Sequence, residues 1–559
     1  MSSRILDVPA KHPFSLSALL DNAWNSLAEM AMQSGWTPLA RLAEAAIVSL
    51  MRKITVGQLR VVTAENTYIF PLESPTNGVE DEKPVPKAEL RVINDTFWVR
   101  LCAMGDLGFA EAYMYGDVEC DDLVSLFQIF LDNRENLENM DSKFSFLFSV
   151  PQKLTSYRFL NTIGNSRSNI STHYDISNIM FASFLSQDMT YSCAIFEDLD
   201  SDLKGGITLG QCNRAKGLKQ LQNGVAKNMN GGGNVYSKGN HNTNEHFYRN
   251  GTANGHAYNN ATNGHRPTNG YTPDGHLNGH ANPEFDELYE AQMCKLDHII
   301  RKAKIQEGHR VLEIGSGWGS MAIRIAKRIP GTRIDTITLS SQQQELAQKL
   351  IAAEGLSARI QVHLMDYRSM PQNGKEYFDT YWRIVDWALK PRTGAGVVQV
   401  ITIPEARWDR YRSEIDFIRK WSFWTDNSMP TIMLLVFPGG ILPTLSLLID
   451  TLRSGSKGRL VVDSVSNIGP HYARTLREWR RRFLDRFDDV IVPALKAEHP
   501  SVMGDACGEQ GSREIDVFKR KWLYYYCYCE IGFTTRTLGD HIITFAREGY
   551  QDFGCDIFV

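Results

Sequence analysis

One stretch limits what this chain can fold into more than any other: Arg310–Ser320, RVLEIGSGWGS. The short run Val311-Leu312-Glu313-Ile314 reads as a buried strand, the chain then breaks at Gly315-Ser316-Gly317-Trp318-Gly319, and a helical pattern begins at Met321. Strand, glycine-rich turn and helix open a nucleotide-binding α/β unit. The glycines let the backbone approach a ligand closely, and the helix N-terminus offers unpaired N–H groups. The G-x-G-x-G spacing is not the G-x-G-x-x-G of a dinucleotide site, and Glu313 stands inside the strand just before the turn. An acid there suits a cationic, amino-bearing ligand such as the methionine part of S-adenosylmethionine (SAM) better than a pyrophosphate. A glycine turn in some other α/β protein is the competing reading.

The 559 residues allow two or three domains, and a net charge of −4 gives no electrostatic reason to expect a nucleic-acid partner. Nine cysteines are scattered, no C-x-x-C occurs, and Cys527-Tyr528-Cys529 is too tight for a zinc pair, so reduced thiols and a cytoplasmic location are expected. The N-terminal MSSRILDVPAKHPFS lacks the apolar core of a signal peptide. The most apolar window, Met429–Ile449, is interrupted by Pro430, Pro438, Gly439, Gly440 and Pro443, which argues against a spanning helix.

Residues 1–135 read as a small α+β domain: helical patterns over 16–52, short strands over 56–69 and 88–93, and helices near 107–116 and 121–132. Residues 136–204 form a capping segment. Residues 205–283 are rich in Asn, Gly and His, with Asn-Gly-His at Asn254, Asn263 and Asn278, and are expected to be a disordered insertion. Six histidines from His241 to His280 raise metal binding, but without fixed geometry a surface insertion is the simpler reading, and no metal site is expected. From 284 to 559 an α/β domain resumes. Glu284–Lys304 is an amphipathic helix, 333–339 the second strand, 340–354 a capped helix and 360–364 the third strand, ending in Asp366-Tyr367-Arg368. Strand ends in such a sheet converge on one crevice, so Thr338–Gln343 and Asp366–Arg368 should face the same site as Gly315–Gly319.

The fourth strand is missing. Only SMPQNGKE separates Arg368 from the helix 377–389, whereas the fifth strand, Val397–Ile403, is plain. An unusual WSFWTDNSMPTIMLL follows Lys420. Beyond it lie helices over 444–452 and 473–487 with a strand over 460–464 between them, an aromatic helix over 519–530, and a closing strand within 535–547.

Several blocks together resemble the cyclopropane-fatty-acyl-phospholipid synthases and mycolic acid cyclopropane synthases. They are His173-Tyr174-Asp175, Met189–Ala194, Val311–Gly319, Thr338-Leu339-Ser340 with Gln343, Asp366-Tyr367-Arg368, Phe437–Gly440, His471–Leu476 with Trp479, and Tyr524–Phe533. The resemblance implies a Rossmann-like class I SAM-dependent methyltransferase fold with helical lipid-binding insertions. It implies transfer of a methylene or methyl group from SAM to the double bond of an unsaturated phospholipid acyl chain. Its partners would be that lipid and, peripherally, the membrane surface, with a homo-oligomer left open. Carried over by position, Tyr191, Ser192, Glu313, Gly315, Ser316, Gly317, Trp318, Gly319, Thr338, Leu339, Ser340, Gln343, Asp366 and Tyr367 would form the SAM site. Cys193, Tyr472, Gln399 and Ile401 would border a bicarbonate ion, the family's base, and Cys529 matches its active-site thiol; packing in a helix is an equal reading of Cys529.

Two departures stand out. The glutamate that follows strand four in the family and holds bicarbonate is absent with its whole segment, and Glu376 lies beyond it. Gln399 replaces a histidine and cannot carry a proton near neutrality. The lost strand and the extra WSFWTDNSMPTIMLL together suggest one coding piece dropped and one non-coding piece translated, an idea that a transcript matching the written sequence overturns. Acyl C-methylation without ring closure is the alternative enzyme reading, and a catalytically impaired lipid-binding homologue the non-enzymatic one.

Overall fold

The computed structural model describes residues 37–72, 85–138, 178–204, 286–365, 375–413, 416–418 and 441–554, which belong to one compact unit formed by Met1–Ile207 and Asp286–Val559. Its N-terminal part runs α1 (Thr37–Met51), β1 (Gln58–Val62), β2 (Thr67–Phe70), β3 (Lys87–Val92), α2 (Thr96–Met104), α3 (Asp106–Tyr115), β4 (Val118–Cys120) and α4 (Leu123–Asp132). The strands make one sheet in the order β2-β1-β3-β4. The 56–69 stretch is two antiparallel strands, because the Thr63 hydroxyl accepts from the amides of Glu65 and Asn66 and turns the chain back. Helix α3 stops at Gly116, whose φ of +81° suits a left-handed C-cap, and α4 starts where Asp122 accepts from the amides of Val124 and Ser125.

The second part continues with α5 (Asn178–Phe184), α6 (Glu287–Lys302), β5 (Arg310–Ile314), α7 (Ser320–Arg328), β6 (Arg333–Thr338), α8 (Ser341–Ala353), β7 (Ile360–Leu364) and α9 (Lys375–Ala388). It ends with β8 (Ala395–Thr402), α10 (Leu445–Gly455), β9 (Leu460–Asn467), α11 (Gly469–Asp485), α12 (Gly508–Thr534) and β10 (Gly539–Arg547). Strands β5, β6 and β7 are parallel neighbours in that order. Strand β10 runs antiparallel between β8 and β9.

These are two separate three-stranded sheets. Among the described residues β5 has β6 on one side and no strand on the other. The consequence is visible in exposure. In a doubly wound sheet β5 would be central and covered, yet Leu312 is 52% and Ile314 37% exposed.

Helices, not sheet continuity, hold the halves together. One core takes in Phe109 and Leu126 of the N-terminal part, Phe181 and Phe184 of α5, Trp479 and Phe483 of α11, Trp522 and Tyr526 of α12, and Ile401 and Ile542 on one face of the β8/β10 pair. The opposite face of that pair packs Val398, Val400, Ile543 and Phe545 against Trp382 and Leu448. Each fully buried aromatic contributes on the order of 2–3 kcal/mol by removal from water. Helix α12 extends well beyond the expected 519–530 because both its flanks are covered. Tyr524 meets Phe127 of α4 at 5.2 Å between centroids, while Trp522 stacks on Phe483 of α11 at 5.8 Å.

The insertion 205–283 lies outside the described residues, but both of its flanks are tied to α11. Arg477 grips Asp202 with two nitrogens, at 2.7 and 3.1 Å. The buried Arg474 pairs with Asp202 at 2.9 Å and Glu287 at 3.0 Å, and Ser201 donates to Glu287 at 2.9 Å. Chain ends held together in this way need no intervening polymer. Replacing residues 206–284 with a short Gly/Ser linker should leave the far-UV circular dichroism of the remainder intact and shift Tm by less than about 3 °C. A loss of cooperative melting would show the insertion to be part of the fold.

Candidate active site

The glycine turn is held open by backbone conformation. Gly315, Gly317 and Gly319 have φ of +97°, +50° and +95°, values that side chains other than glycine rarely adopt. The amides of Gly315 and Ser316 both donate to the Ile337 carbonyl at 2.9 and 3.0 Å, which ties the turn to β6. Ser316 is buried and accepts from the Thr336 hydroxyl at 2.7 Å. Trp318 points away from the turn. Its indole nitrogen donates to Asn178 at 2.9 Å and its ring packs 5.2 Å from Phe181, so it locks α5 onto the turn.

Glu313, on β5, has its carboxyl tip buried with Oε2 unpartnered. Burial pushes the group up to about 7, opposed by the neighbouring Thr336 hydroxyl and the charge of Lys295. Beyond β6, the Thr338 hydroxyl donates to Gln343 Oε1 at 2.8 Å, and Ser340 caps α8 by accepting from the Gln343 amide at 3.2 Å. Leu339 sits between these two polar anchors. Asp366 and Tyr367 lie outside the described residues, as do His173–Asp175 and Phe437–Gly440.

A strap over 188–196 crosses beside the turn. The Ser320 hydroxyl, at the start of α7, donates to the Asp188 carbonyl at 2.7 Å. On α6, Gln292 donates to the Ser192 carbonyl and Lys295 to the Ser192 hydroxyl, each at 2.8 Å. On α11, Thr475 accepts from the Ala194 amide at 3.1 Å and His471 from the Phe196 amide at 3.2 Å. Clamped this way, Tyr191 packs its ring 4.9 Å from Trp479 and 5.2 Å from Phe181, with its hydroxyl 3.3 Å from that of Tyr525.

The bordering residues Cys193, Tyr472, Gln399 and Ile401 gather around a group that the sequence reading did not single out, Asp540 on β10. Asp540 stands opposite Ile401 in the β8/β10 register. Its Oδ2 accepts from Gln399 Nε2 at 2.7 Å, while its Oδ1 is buried and unpartnered. Burial raises the carboxyl to about 6, against the Gln399 hydrogen bond, the Lys295 charge and a hydrogen-bonding contact with the Cys193 thiol. The Tyr472 hydroxyl is also buried and unpartnered, with its ring stacked on Phe533 at 4.5 Å. The Cys193 thiol donates to the carbonyls of Ala194 and Ile468, and burial raises its pKa well above the usual range. Cys529 is buried in α12, and burial carries its thiol far above neutrality. A thiolate there would lack any stabilising charge, so packing accounts for this residue better than nucleophilic chemistry.

Asp540 and Lys295 each left a sequence signal. Lys295 stands seven residues after Leu288, on the apolar stripe of its helix, and Asp540 is the second residue of a strand that contains the apolar run Ile542-Ile543. A charge on a buried face needs a partner. Lys295 is buried, so desolvation lowers its pKa, while Asp188, Cys193, Asp540 and Glu313 act to raise it.

A family model described as mycolic acid cyclopropane synthetase matches residues 162–224 and 280–499. Over 539 residues the chain is 28% identical to the tuberculostearic acid methyltransferase UfaA1 of Mycobacterium tuberculosis, covering 92% of this chain and 93% of that protein. It is 24% identical over 475 residues to the cyclopropane-fatty-acyl-phospholipid synthase of Escherichia coli, covering 82% and 88%. Among solved structures it is similar to the cyclopropane synthase MmaA2 from Mycobacterium tuberculosis, with 18% identity, 68% and 98% coverage and a TM-score of 0.40.

Lys295→Met isolates the electrostatic role of the buried cation. It should lower stability by roughly 3 kcal/mol at pH 8, because two buried carboxylates lose their compensating charge. Denaturant titrations at pH 8 and pH 5 check this. The deficit should shrink at pH 5, where both Asp540 (about 6) and Glu313 (about 7) are protonated and need no counter-charge.

Proposed function

Because this chain belongs to the mycolic acid cyclopropane synthetase family, and is thereby a SAM-dependent methyltransferase of the cyclopropane synthase type acting on lipid acyl chains, we propose that its substrate is the cis double bond of an unsaturated phospholipid acyl chain and its product a cyclopropane fatty acid. The observation that carries this reading is a polar cluster, the buried Asp540 and Tyr472 with the half-buried Gln399, set against aromatic rings. Such surroundings suit an apolar chain that becomes transiently cationic. Acyl C-methylation without ring closure is the second reading. It is supported by the match to a tuberculostearic acid methyltransferase over nearly the full length of both chains.

SAM suits the residues around the turn. Unpartnered Glu313 Oε2 is an acceptor waiting for a cationic group, and the positive-φ glycines let a ligand approach the turn without a side chain in the way. SAM supplies an electrophilic methyl group. Tyr191 of the strap packs against Trp479, and Gln343 is held by Thr338. Bicarbonate suits the chain poorly. Gln399 Nε2, one of its expected donors, is already committed to Asp540, and an added anion would face the unscreened Asp540 Oδ1.

Among the described residues no helix is long and apolar enough to cross a membrane. Reversible docking of the enzyme on the bilayer surface supplies the lipid.

Incubating the protein with SAM and vesicles of unsaturated phosphatidylethanolamine should add one carbon to the acyl chain by mass spectrometry. Ring protons in the NMR spectrum of the product separate the two readings, and no one-carbon product refutes both. SAM affinity, measured by calorimetry, should rise with pH and level off above about 7, as Glu313 ionises and can pair with the cationic ligand. Glu313→Gln should flatten that pH dependence and weaken binding about tenfold, roughly 1.4 kcal/mol.

A further inference from the structure

We propose that Asp540 is the proton acceptor of this enzyme, taking within the protein the place that a bound bicarbonate would hold. The inference rests on the acyl-chain reading above. It arises from a mismatch: the chain lacks the family's glutamate segment and carries Gln399 where a histidine is expected, yet the same site contains a carboxylate from the opposite strand.

The placement of Asp540 is specific. It lies on the face of the β8/β10 pair that carries Gln399, Ile401 and Ile542, and its side chain is fully buried. Every element packed around it contributes a neighbour. Gln399 on β8 donates to Oδ2 at 2.7 Å, and the Asn467 side chain on β9 accepts from the Asp540 amide at 3.3 Å. Lys295 from α6, Cys193 from the strap and Tyr472 from α11 are the titratable groups that feel its charge. His541, next in sequence, points to the other face and meets the Thr402 hydroxyl at 2.8 Å. One oxygen is therefore anchored by an amide, and the other, Oδ1, has no strong donor on it and only the Cys193 thiol as a hydrogen-bonding neighbour, which is the arrangement of an oriented base. The ammonium of Lys295 favours the ionised form without being bonded to it, and burial keeps the carboxyl basic.

The step balances. The alkene π pair forms a carbon–carbon bond to the SAM methyl, and the carbon–sulfur pair stays on sulfur, leaving S-adenosylhomocysteine and a cation on the acyl chain. Asp540 Oδ1 takes a proton from the transferred methyl, and the released C–H pair closes the ring. Loss of a proton from the adjacent acyl carbon instead gives a methyl-branched alkene with the same base. Asp540 gives the proton to water when product leaves.

Asp540→Asn and Asp540→Glu test the proposal in the full-length protein. Asp540→Asn keeps a hydrogen-bonding side chain of the same shape and should leave SAM affinity by calorimetry unchanged within threefold, while kcat falls at least a hundredfold. Asp540→Glu should retain measurable turnover. Wild-type kcat should show an acidic limb near pH 6 and be the same in carbon-dioxide-free buffer as with added bicarbonate. Infrared spectroscopy supplies a readout independent of turnover: a carboxylic acid C=O band should titrate near pH 6 in the wild type and vanish in Asp540→Asn. Retained kcat in Asp540→Asn, or wild-type turnover that collapses without bicarbonate, overturns the proposal. If the wild type makes no one-carbon product, the acyl-chain reading fails separately. The infrared titration then still decides whether Asp540 holds an exchangeable proton, and absence of its band also overturns the inference.

Discussion

A single buried ammonium organises the centre of this molecule. Lys295 projects from α6 into a region with almost no water and bonds the Ser192 hydroxyl. It is also the charge felt by Glu313 under the glycine turn and by Asp540 on the closing strand. Burying one charge alone costs several kcal/mol, so cation and carboxylates have to arrive together. That requirement couples three segments distant in sequence: the strap at 188–196, the strand at 310–314 and the strand at 539–547. The methyl-donor side and the proton-acceptor side of the site thus share one counter-charge.

This coupling matters more here because the sheet does not do the job. With no strand between β5 and β8 among the described residues, the usual ladder between the two halves is interrupted, and the edge of β5 shows Leu312 and Ile314 to solvent. Exposed apolar edges favour unwanted pairing between chains. Cohesion comes instead from α11 and α12, which bury Trp479, Phe483, Trp522 and Tyr526 against α5 and the N-terminal domain. The arginines of α11 add to this by fastening the chain on either side of the insertion. A helical scaffold of this kind tolerates a damaged sheet better than an all-sheet core would.

Much of the architecture was legible because it rests on local rules. The glycine turn, the Ser340 cap and the apolar period of α6 are set by residues within a few positions of each other, and the structure has them where the sequence places them. The failures have a common cause in tertiary context. The turn at Thr63 depends on a side-chain hydrogen bond, and α12 depends on partners distant in sequence, in α4 and α11. Asp540 and Lys295 are not legible as site residues in the sequence because each is one polar residue among several in its element. Their meaning appears only when β10 and α6 are brought to the same point.

Comparison of Cys529 with Asp540 shows how burial sorts candidate groups. Both are removed from water, and in both desolvation disfavours the charged form. A thiol begins near the top of the useful range, so burial without a cation drives it out of reach of any physiological pH. A carboxyl begins far below neutrality, so the same penalty, moderated by Lys295 and Gln399, leaves it at about 6, where it is basic enough to take a proton and still ionised at pH 7. The same desolvation therefore raises both groups, and only the carboxyl, with Lys295 and Gln399 beside it, stays ionised near neutrality. A family resemblance that names the cysteine by position does not capture that difference, which arises from the charge buried beside each group.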